Sequence, residues 1–208
     1  MEEKILKWKK RVFSWSQMSS FEFDKEQWYK KYILGEAQKV SAEMDFGKEI
    51  GEKLASDPSF MPEVPRQKHM EYGIFVNLGD VGLVGYFDSF EDIPGGGVYP
   101  LHEYKTGKKP WDQKRADNHG QITFYCLLLW LAKKINPRDV LPRIHWMPTE
   151  EKDQSFKDFM DGKRNIEFTK NVKPLTFVTK RTMRDVLMFG ARINQTIKEM
   201  EDYIKLRN

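Results

Sequence analysis

A carboxylate and an ammonium lie two residues apart at the end of an apolar, strand-like segment. Along residues 101–105 side chains alternate between two faces, so Glu103 and Lys105 point the same way and Tyr104 points the other way. A hydrolase that depends on a hard cation uses such a pair. The carboxylate binds the cation, and the lysine orients or helps to deprotonate the attacking water. The same spacing also arises by chance in charged proteins, so the pair alone is a weak signal.

A second acid ends the preceding strand-like segment. Residues 84–87 are apolar or glycine, and Asp88 follows them. Gly85, three residues before this acid, could allow a close backbone approach. If this segment pairs with 101–105 through the glycine-rich loop 91–97, Asp88 and Glu103 can converge on one cation.

An amide and a phenol lie near the start of the apolar helix that follows. Gln121 and Tyr125 are four residues apart and therefore share a helix face. Both side chains suit hydrogen bonding to a phosphate or to the surroundings of the lysine. The alternative is an ordinary polar helix edge.

The order of the strands and helices that must position these residues predicts an α/β fold, with a mixed central β-sheet flanked by helices. Gly79 and Asp80 indicate a hairpin turn between two strands. The predicted helices are 16–34, a second one that Ser41 opens, 117–134 and an amphipathic C-terminal helix. The predicted strands are 71–78, 81–90, 98–105, 140–147, 166–169 and 175–178. The apolar face of the C-terminal helix consists of Val186, Phe189, Ile193, Ile197, Met200 and Ile204.

Composition fits one intracellular domain with a polyanionic partner. The 208 residues suffice for a single core, and the net charge is +4. Residues 105–115 carry five cations against one acid, and 163–184 carry seven against one. A solvated surface is the alternative. The single cysteine, Cys126, excludes a disulfide and a four-cysteine cluster within one chain. The N-terminus lacks a hydrophobic signal core, so we expect a cytoplasmic protein without a membrane partner.

The ordered series of motifs resembles the core of RecB-like PD-(D/E)XK nucleases. It comprises Gly85-x-x-Asp88, Glu103-x-Lys105 and Gln121-x-x-x-Tyr125. The serine-rich segment 15–21 also resembles the family, and the likeness runs from about Ser14 to Tyr125. It implies a restriction-endonuclease-like fold in one domain of residues 1–208. The helices would occupy 14–56, the catalytic core 71–135, and further strands and a helix 138–208.

The resemblance also implies the roles of individual residues. Asp88, Glu103 and the backbone carbonyl of Tyr104 would bind Mg²⁺ or Mn²⁺. Lys105 would be the catalytic lysine. Gln121 and Tyr125 would support the site and the DNA.

This sequence departs from the family pattern at two places. Gly51 stands where many relatives have a metal-binding histidine in the second helix. Glu52 is a better substitute than Glu49, because it lies about 100° from Gly51 around the helix and Glu49 about 200°. A solvated role for Glu52 stays open. Relatives with an iron–sulfur cluster carry several cysteines, and Asp24 stands roughly where the first would be. The resemblance therefore points to a branch without a cluster.

Together these features predict a metal-dependent DNA nuclease. Within that class they favour an exonuclease that acts on linear or single-stranded DNA. The residues expected to bind DNA are Lys108, Lys109, Trp111, Lys114 and Arg115, where Trp111 either stacks on an unpaired base or is buried. The chain has no Walker loop, so a helicase or recombination partner would be a separate protein. The alternatives are an inactive nucleic-acid-binding module, an RNA endonuclease, and an unrelated metal protein.

Overall fold

The computed structural model describes residues 11–38, 40–152, 165–170 and 173–207. The strands are β1 (Val12–Ser14), β2 (His69–Leu78), β3 (Val81–Phe90), β4 (Tyr99–Gly107), β5 (Val140–Glu151), β6 (Ile166–Phe168) and β7 (Leu175–Val178). The helices are α1 (Trp15–Phe23), α2 (Lys25–Trp28), α3 (Ala42–Ser56), α4 (Gln113–Asp117), α5 (Gly120–Lys133) and α6 (Met183–Lys205). A π-helical turn, Tyr29–Ile33, and a 3₁₀ turn, Pro137–Asp139, complete them.

The seven described strands form one mixed sheet, which confirms the predicted α/β fold. The strand order is β1-β3-β4-β5-β6, with β2 paired to β3 and β7 paired to β5. Strands β2 and β3 form the predicted antiparallel hairpin, and Gly79 takes a positive φ of 73° in its turn. Strands β4 and β5 are parallel over nine residue pairs, so β4 lies inside the sheet.

One edge of β3 is shared by two strands that do not meet. Strand β1 pairs with residues 82–84, whereas β4 pairs only with Ser89 and Phe90. Residues 85–88 therefore have no strand partner on this edge in the described part of the chain. We call this opening, between residues 85–88 of β3 and 103–105 of β4, the β3–β4 notch.

Helix α5 lies directly against the sheet beside the notch. Residues 122–129 are all buried, because the helix is apolar on every side and packs between the sheet and α6. Gly85 makes the close approach possible, since a Cβ there would lie 2.6 Å from Cδ1 of Leu128. The predicted apolar face of α6 is confirmed: five of its six residues are buried and Phe189 packs against the core.

Several element boundaries differ from the predictions for local reasons. The predicted helix 16–34 is interrupted at Asp24, whose side chain accepts a hydrogen bond from the Gln27 backbone N–H and starts a new helix. Between the predicted strand 98–105 and the predicted helix 117–134 lies α4, and the Asp112 side chain caps it by accepting a hydrogen bond from the Arg115 backbone N–H. Ser41 caps α3 as predicted. In the basic segment 163–184, residues 163, 164, 171 and 172 lie outside the described residues. No helix in the described ranges is long and apolar enough to span a bilayer.

Candidate active site

Glu103 is a buried carboxylate with one oxygen that forms no hydrogen bond to any described residue. It lies on the interior strand β4, and 1% of its surface is exposed. Its Oε1 atom accepts a hydrogen bond from Nζ of Lys105, as their shared face predicts. No hydrogen bond reaches the buried Oε2 atom within the described structure. Leaving such an atom unpaired costs free energy, so its position calls for a ligand.

Asp88 faces Glu103 across the β3–β4 notch. Its Oδ2 atom accepts a hydrogen bond from the Tyr104 backbone N–H at 2.7 Å, because the separated strands leave this N–H free. Burial, followed by the charge of Glu103, raises the pKa of Asp88 to about 8. Two carboxylates that interact electrostatically in a buried site favour either a proton or a cation between them.

A row of hydrogen bonds joins the lysine to α5 and returns to β3. Nζ of Lys105 donates to Oε1 of Gln121 at 2.9 Å. Nε2 of Gln121 donates to the hydroxyl of Tyr125 at 2.6 Å, and this hydroxyl donates to the carbonyl of Tyr86 at 2.5 Å. Burial raises the pKa of Tyr125 well above its usual value, so the phenol stays protonated. The structure thus brings together Glu103, Lys105, Gln121 and Tyr125.

The ammonium of Lys105 is stabilised in its charged form. Burial by itself would lower the pKa of Lys105, but the charges of Glu103 and Asp88 outweigh burial, so the pKa is raised. About a quarter of the side chain, 27%, remains exposed to solvent. The site therefore contains a protonated amine that is partly accessible to solvent.

Two residues that the sequence analysis missed fix the beginning of α5. Gly120 is required there because a Cβ would lie 2.3 Å from the Trp15 ring. Buried Arg181 donates to Oγ1 of Thr123 and to the carbonyls of Ala116 and His119. These contacts come from three distant parts of the chain. No short-range pattern signals them.

Glu71 is a third acid near the notch that the sequence analysis did not select. It lies between the paired positions Met70↔Ser89 and Tyr72↔Phe87, at the level of Asp88. Its φ is +50°, which is uncommon for a residue other than glycine. Its charge makes a small contribution to the raised pKa of Asp88.

The donor set at the notch fits a hard divalent cation. Carboxylate oxygens are the ligands that Mg²⁺ and Mn²⁺ prefer, and the Oε2 atom of Glu103 has its coordination capacity free. Asp88 and Glu103 are the two side chains that would hold the ion. Within the described residues, no three His, Cys, Asp or Glu side chains are grouped closely enough to hold a metal ion.

The structure does not place Glu52 beside Asp88 and Glu103. Helix α3 packs through Ile50 and Leu54, and Glu52 lies on the far side of the helix, about 200° from Ile50. Its side chain is 62% exposed and forms an ion pair with Lys48 at 3.7 Å. The solvated alternative for Glu52 is therefore the one observed. Glu49 pairs with Lys53 and is also exposed.

The basic residues predicted to contact DNA follow β4 in the chain. Lys109, Lys114 and Arg115 are exposed, and Lys108 is exposed and paired with Glu151 at 2.8 Å. Trp111 is 7% exposed, and the Arg115 guanidinium lies 4.1 Å from its ring centroid. Of the two alternatives for Trp111, burial is observed, and its ring offers no free face for a base.

Comparisons with known proteins agree with this architecture. The sequence profile described as the PD-(D/E)XK nuclease superfamily matches residues 4–203. No protein of curated function matches the chain. The solved structure of SSO0001 is similar at 11% identity and a TM-score of 0.44, covering 95% of this chain and 77% of that one. A presumed exonuclease from Eubacterium rectale is similar at 15% identity and a TM-score of 0.38, covering 92% of this chain and 64% of that one.

Both structural likenesses are too distant to bear on activity. The profile, in contrast, covers nearly the whole chain, including all of the motifs around the β3–β4 notch. The mixed sheet agrees with the restriction-endonuclease-like fold of that superfamily. The chain belongs to the PD-(D/E)XK nuclease superfamily.

Proposed function

We propose that this protein is a Mg²⁺- or Mn²⁺-dependent deoxyribonuclease that hydrolyses phosphodiester bonds at the β3–β4 notch. The observation that carries the proposal is the unpartnered, buried Oε2 atom of Glu103, with Asp88 and the ammonium of Lys105 beside it. A structural carboxylate would have its oxygens satisfied. Here one oxygen of Glu103 has no hydrogen-bond partner among the described residues and can bind a cation.

Asp88 and Glu103 would hold the cation, with the backbone carbonyl of Tyr104 as a further ligand. The chemistry that such an ion supplies when bound is polarisation of the scissile phosphate and a lower pKa for a bound water. The hydrogen bond from the Tyr104 N–H orients the Asp88 carboxylate toward Glu103. The raised pKa of Asp88 means that a proton competes with a cation for this carboxylate.

Lys105 would orient the attacking water and offset the negative charge that develops on the phosphate. Its raised pKa supports this role over that of a base, because the amine keeps its proton. Gln121 positions the ammonium through its amide oxygen, and Tyr125 fixes the amide in turn. Both residues would act through Lys105 as positioning residues.

We propose that the substrate is DNA with free ends, cut as an exonuclease. The exposed lysines 108, 109 and 114 lie just after the strand that carries Glu103 and Lys105. Phosphates on either side of the scissile bond would contact them, and binding would weaken with rising salt.

Cleavage assays with matched substrates test this proposal. Purified protein would be incubated with end-labelled linear single strands, linear duplexes, circular single strands and RNA, each with Mg²⁺, Mn²⁺ or EDTA. We expect metal-dependent shortening of linear DNA and survival of circles. Cleavage of circles would make the enzyme an endonuclease, and preference for RNA would change the substrate. Binding without cleavage under any metal would leave an inactive nucleic-acid-binding module.

A further inference from the structure

Arg115 is an exposed residue of α4 whose guanidinium is held in one place. Its Cζ atom lies 4.1 Å from the centroid of the Trp111 ring. Its Nη1 atom donates to the carbonyls of Lys109 and Pro110, each at 3.3 Å. Planar guanidinium groups stack well on aromatic rings, which fixes their orientation. The side chain is therefore ordered by its neighbours although the residue is exposed to solvent.

The other edge of this guanidinium is unused. Within the described residues, the Nε and Nη2 atoms of Arg115 donate no hydrogen bond, and no carboxylate forms an ion pair with it. The nearby acids have other partners: Asp112 accepts the Arg115 backbone N–H, and Asp117 accepts a hydrogen bond from Gln113. This edge is the one that binds a phosphate through two parallel hydrogen bonds. Arg115 is therefore prepared for an anionic ligand.

Trp111 connects Arg115 to the hydrogen-bonded row that contains Lys105. The His119 ring packs perpendicular to the Trp111 ring, with the two centroids 5.0 Å apart. His119 is the N-cap of α5, two residues before Gln121, and Oε1 of Gln121 accepts the hydrogen bond from Lys105. A short series of packed side chains thus runs from the guanidinium to the ammonium.

Lys105 and Arg115 lie close enough to repel each other. Burial and the charge of Arg115 both act to lower the pKa of Lys105, against the carboxylates of Glu103 and Asp88. Burial, followed by the charge of Lys105 and with a contribution from Arg115, lowers the pKa of His119 to about 4. Two neighbouring cations are unfavourable without an anion beside them. A phosphate that contacts both cations would remove this repulsion.

We propose that Arg115 is a catalytic residue that binds a non-bridging oxygen of the scissile phosphate together with Lys105, and that Trp111 positions it. The inference rests on the proposed function. It separates Arg115 from the lysines 108, 109 and 114, which would contact neighbouring phosphates. An arginine at this place stabilises the charge that the phosphate oxygens carry in the transition state. The buried Trp111 ring supports the arginine, in place of the base that it does not bind.

Three variants separate this role from that of a simple positive charge. Arg115→Lys keeps the charge but lacks the two parallel donors and the planar group that stacks on the ring. Arg115→Ala removes the charge as well, and Trp111→Phe leaves a smaller ring beneath the guanidinium. Arg138→Lys and Arg138→Ala are the matched controls, because Arg138 is an exposed arginine just before β5, whereas Lys105 pairs with Trp146 farther along that strand. Circular dichroism would verify that each variant is folded.

Two independent measurements would be made on each variant. Rates at saturating substrate with Mn²⁺, on the nucleic acid that the wild type cuts, give kcat. The anisotropy of a fluorescent 20-nucleotide poly-dT strand in EDTA, at several salt concentrations, gives the affinity and its salt dependence. The second measurement needs no cleavage, so it reports on phosphate binding even if the chain is not a nuclease.

Both Arg115 variants should lower kcat by about 10²-fold, the loss of one donor to the transition state. Arg115→Lys should keep the salt dependence of binding, because the charge remains. Arg115→Ala should reduce the slope of log affinity against log salt by about 0.7, the value for one phosphate contact on a single strand. Trp111→Phe should have a kcat between those of the wild type and Arg115→Lys. The Arg138 variants should behave like the wild type in both measurements.

A wild-type kcat in folded Arg115→Lys would overturn the inference, since a positive charge alone would then suffice. So would a wild-type kcat with weaker binding in Arg115→Ala, because the arginine would then contact a neighbouring phosphate. Either result leaves the nuclease assignment intact. If the wild type binds the strand and never cuts, the nuclease assignment fails. A reduced salt slope in Arg115→Ala would then still support phosphate binding by the arginine, and an unchanged slope would refute that as well.

Discussion

His102 and Glu103 are consecutive residues of β4, and both are almost completely buried, but their polar atoms are in opposite states. On the His102 side, Nε2 is 2.8 Å from Nε2 of Gln67 and Nδ1 is 2.6 Å from Nε2 of His145. The row ends at Oγ1 of Thr176, 2.9 Å from His145. On the Glu103 side, one carboxylate oxygen has no partner in the described structure.

The difference separates a structural polar cluster from a site that is prepared for a ligand. Burying a polar atom without a hydrogen bond costs about 1–3 kcal/mol. The histidine row avoids this cost and joins β4 to β5 and β7. The notch bears the cost at one oxygen of Glu103 and adds a second carboxylate at Asp88, so a bound cation or a proton, in addition to the Lys105 ammonium, would stabilise it. We therefore expect substitutions in the notch to affect activity and substitutions in the row to affect stability.

The largest effect is expected in the notch. Glu103→Gln keeps the size of the side chain and Lys105→Ala removes the ammonium, and each should lower cleavage by about 10³-fold. The folded structure should persist, because neither change leaves the histidine row incomplete. Initial rates on labelled DNA and thermal melting would measure both properties. Lys109→Ala, which changes an exposed lysine beyond the same strand, is the control and should cost only a few-fold. A fully active Lys105→Ala protein would exclude the notch as the active site.

The histidine row should show the reverse behaviour. His145→Ala removes a buried ring and leaves Nδ1 of His102 without its partner, so we expect a loss of about 3 kcal/mol in the free energy of unfolding. The cleavage rate of the folded fraction should stay within a few-fold of the wild type. Urea denaturation and rate measurements at low temperature would test this. A stable but inactive variant would place the row in the catalytic machinery and end the distinction drawn here.

The row should also make stability fall at acid pH. Burial lowers the pKa of His102 to about 4 and that of His145 to about 3, whereas both titrate near 6.5 in an unfolded chain. The unfolded state therefore binds more protons below pH 6.5, and stability decreases as the pH falls from about 6.5 toward 4. From pH 7 to pH 5 the loss should be on the order of 2 kcal/mol for each histidine.

Urea denaturation at several pH values, in EDTA so that no cation contributes, would measure this slope. The slope should be shallower in His145→Ala, which lacks one of the two groups. The raised pKa of Asp88 acts in the opposite direction, since the folded state holds that proton up to about pH 8. Asp88→Asn should therefore steepen the acid loss. An Asp88→Asn protein equally stable at pH 7 and pH 5, in which the opposing carboxyl is absent, would mean that the histidines are not buried in neutral form.

The smallest effect is expected at Glu52. Because its exposed side chain pairs with Lys48 in the same helix, Glu52→Gln should cost less than about 0.5 kcal/mol of stability. The affinity for Mn²⁺, measured by titration calorimetry, should change less than twofold, whereas Asp88→Asn should reduce it by tenfold or more. A large loss of Mn²⁺ affinity in Glu52→Gln would show that α3 moves to complete the metal site, as the family resemblance implied.

Local periodicity allowed much of the site to be predicted. Strand alternation puts Glu103 and Lys105 on one face in any strand, and the helical repeat does the same for Gln121 and Tyr125. The turn at Gly79 and Asp80 likewise follows from residue type, because glycine tolerates a positive φ. These relations hold over a few residues and need no knowledge of the remaining chain.

Contacts between distant segments decided the rest. The gap on the edge of β3 exists because β1 leaves that edge after Val84 and β4 joins it only at Ser89, which no periodicity encodes. Trp111 is buried because His119 and Arg115 pack on its ring, although its polar surroundings in the sequence left stacking on a base equally open.

The positions of the candidate metal ligands show the same distinction between what local periodicity predicts and what tertiary contacts decide. The sequence by itself determined which residue types recur on each strand face and in which order. Whether a carboxylate reaches the notch, as Asp88 does and Glu52 does not, depends on how strands and helices pack together. Packing minimises exposed apolar surface over the whole chain, so a side chain's surroundings are set by residues far away in sequence. Packing leaves the Oε2 atom of Glu103 without a hydrogen-bond partner among the described residues, and the sequence shows only that a glutamate is present.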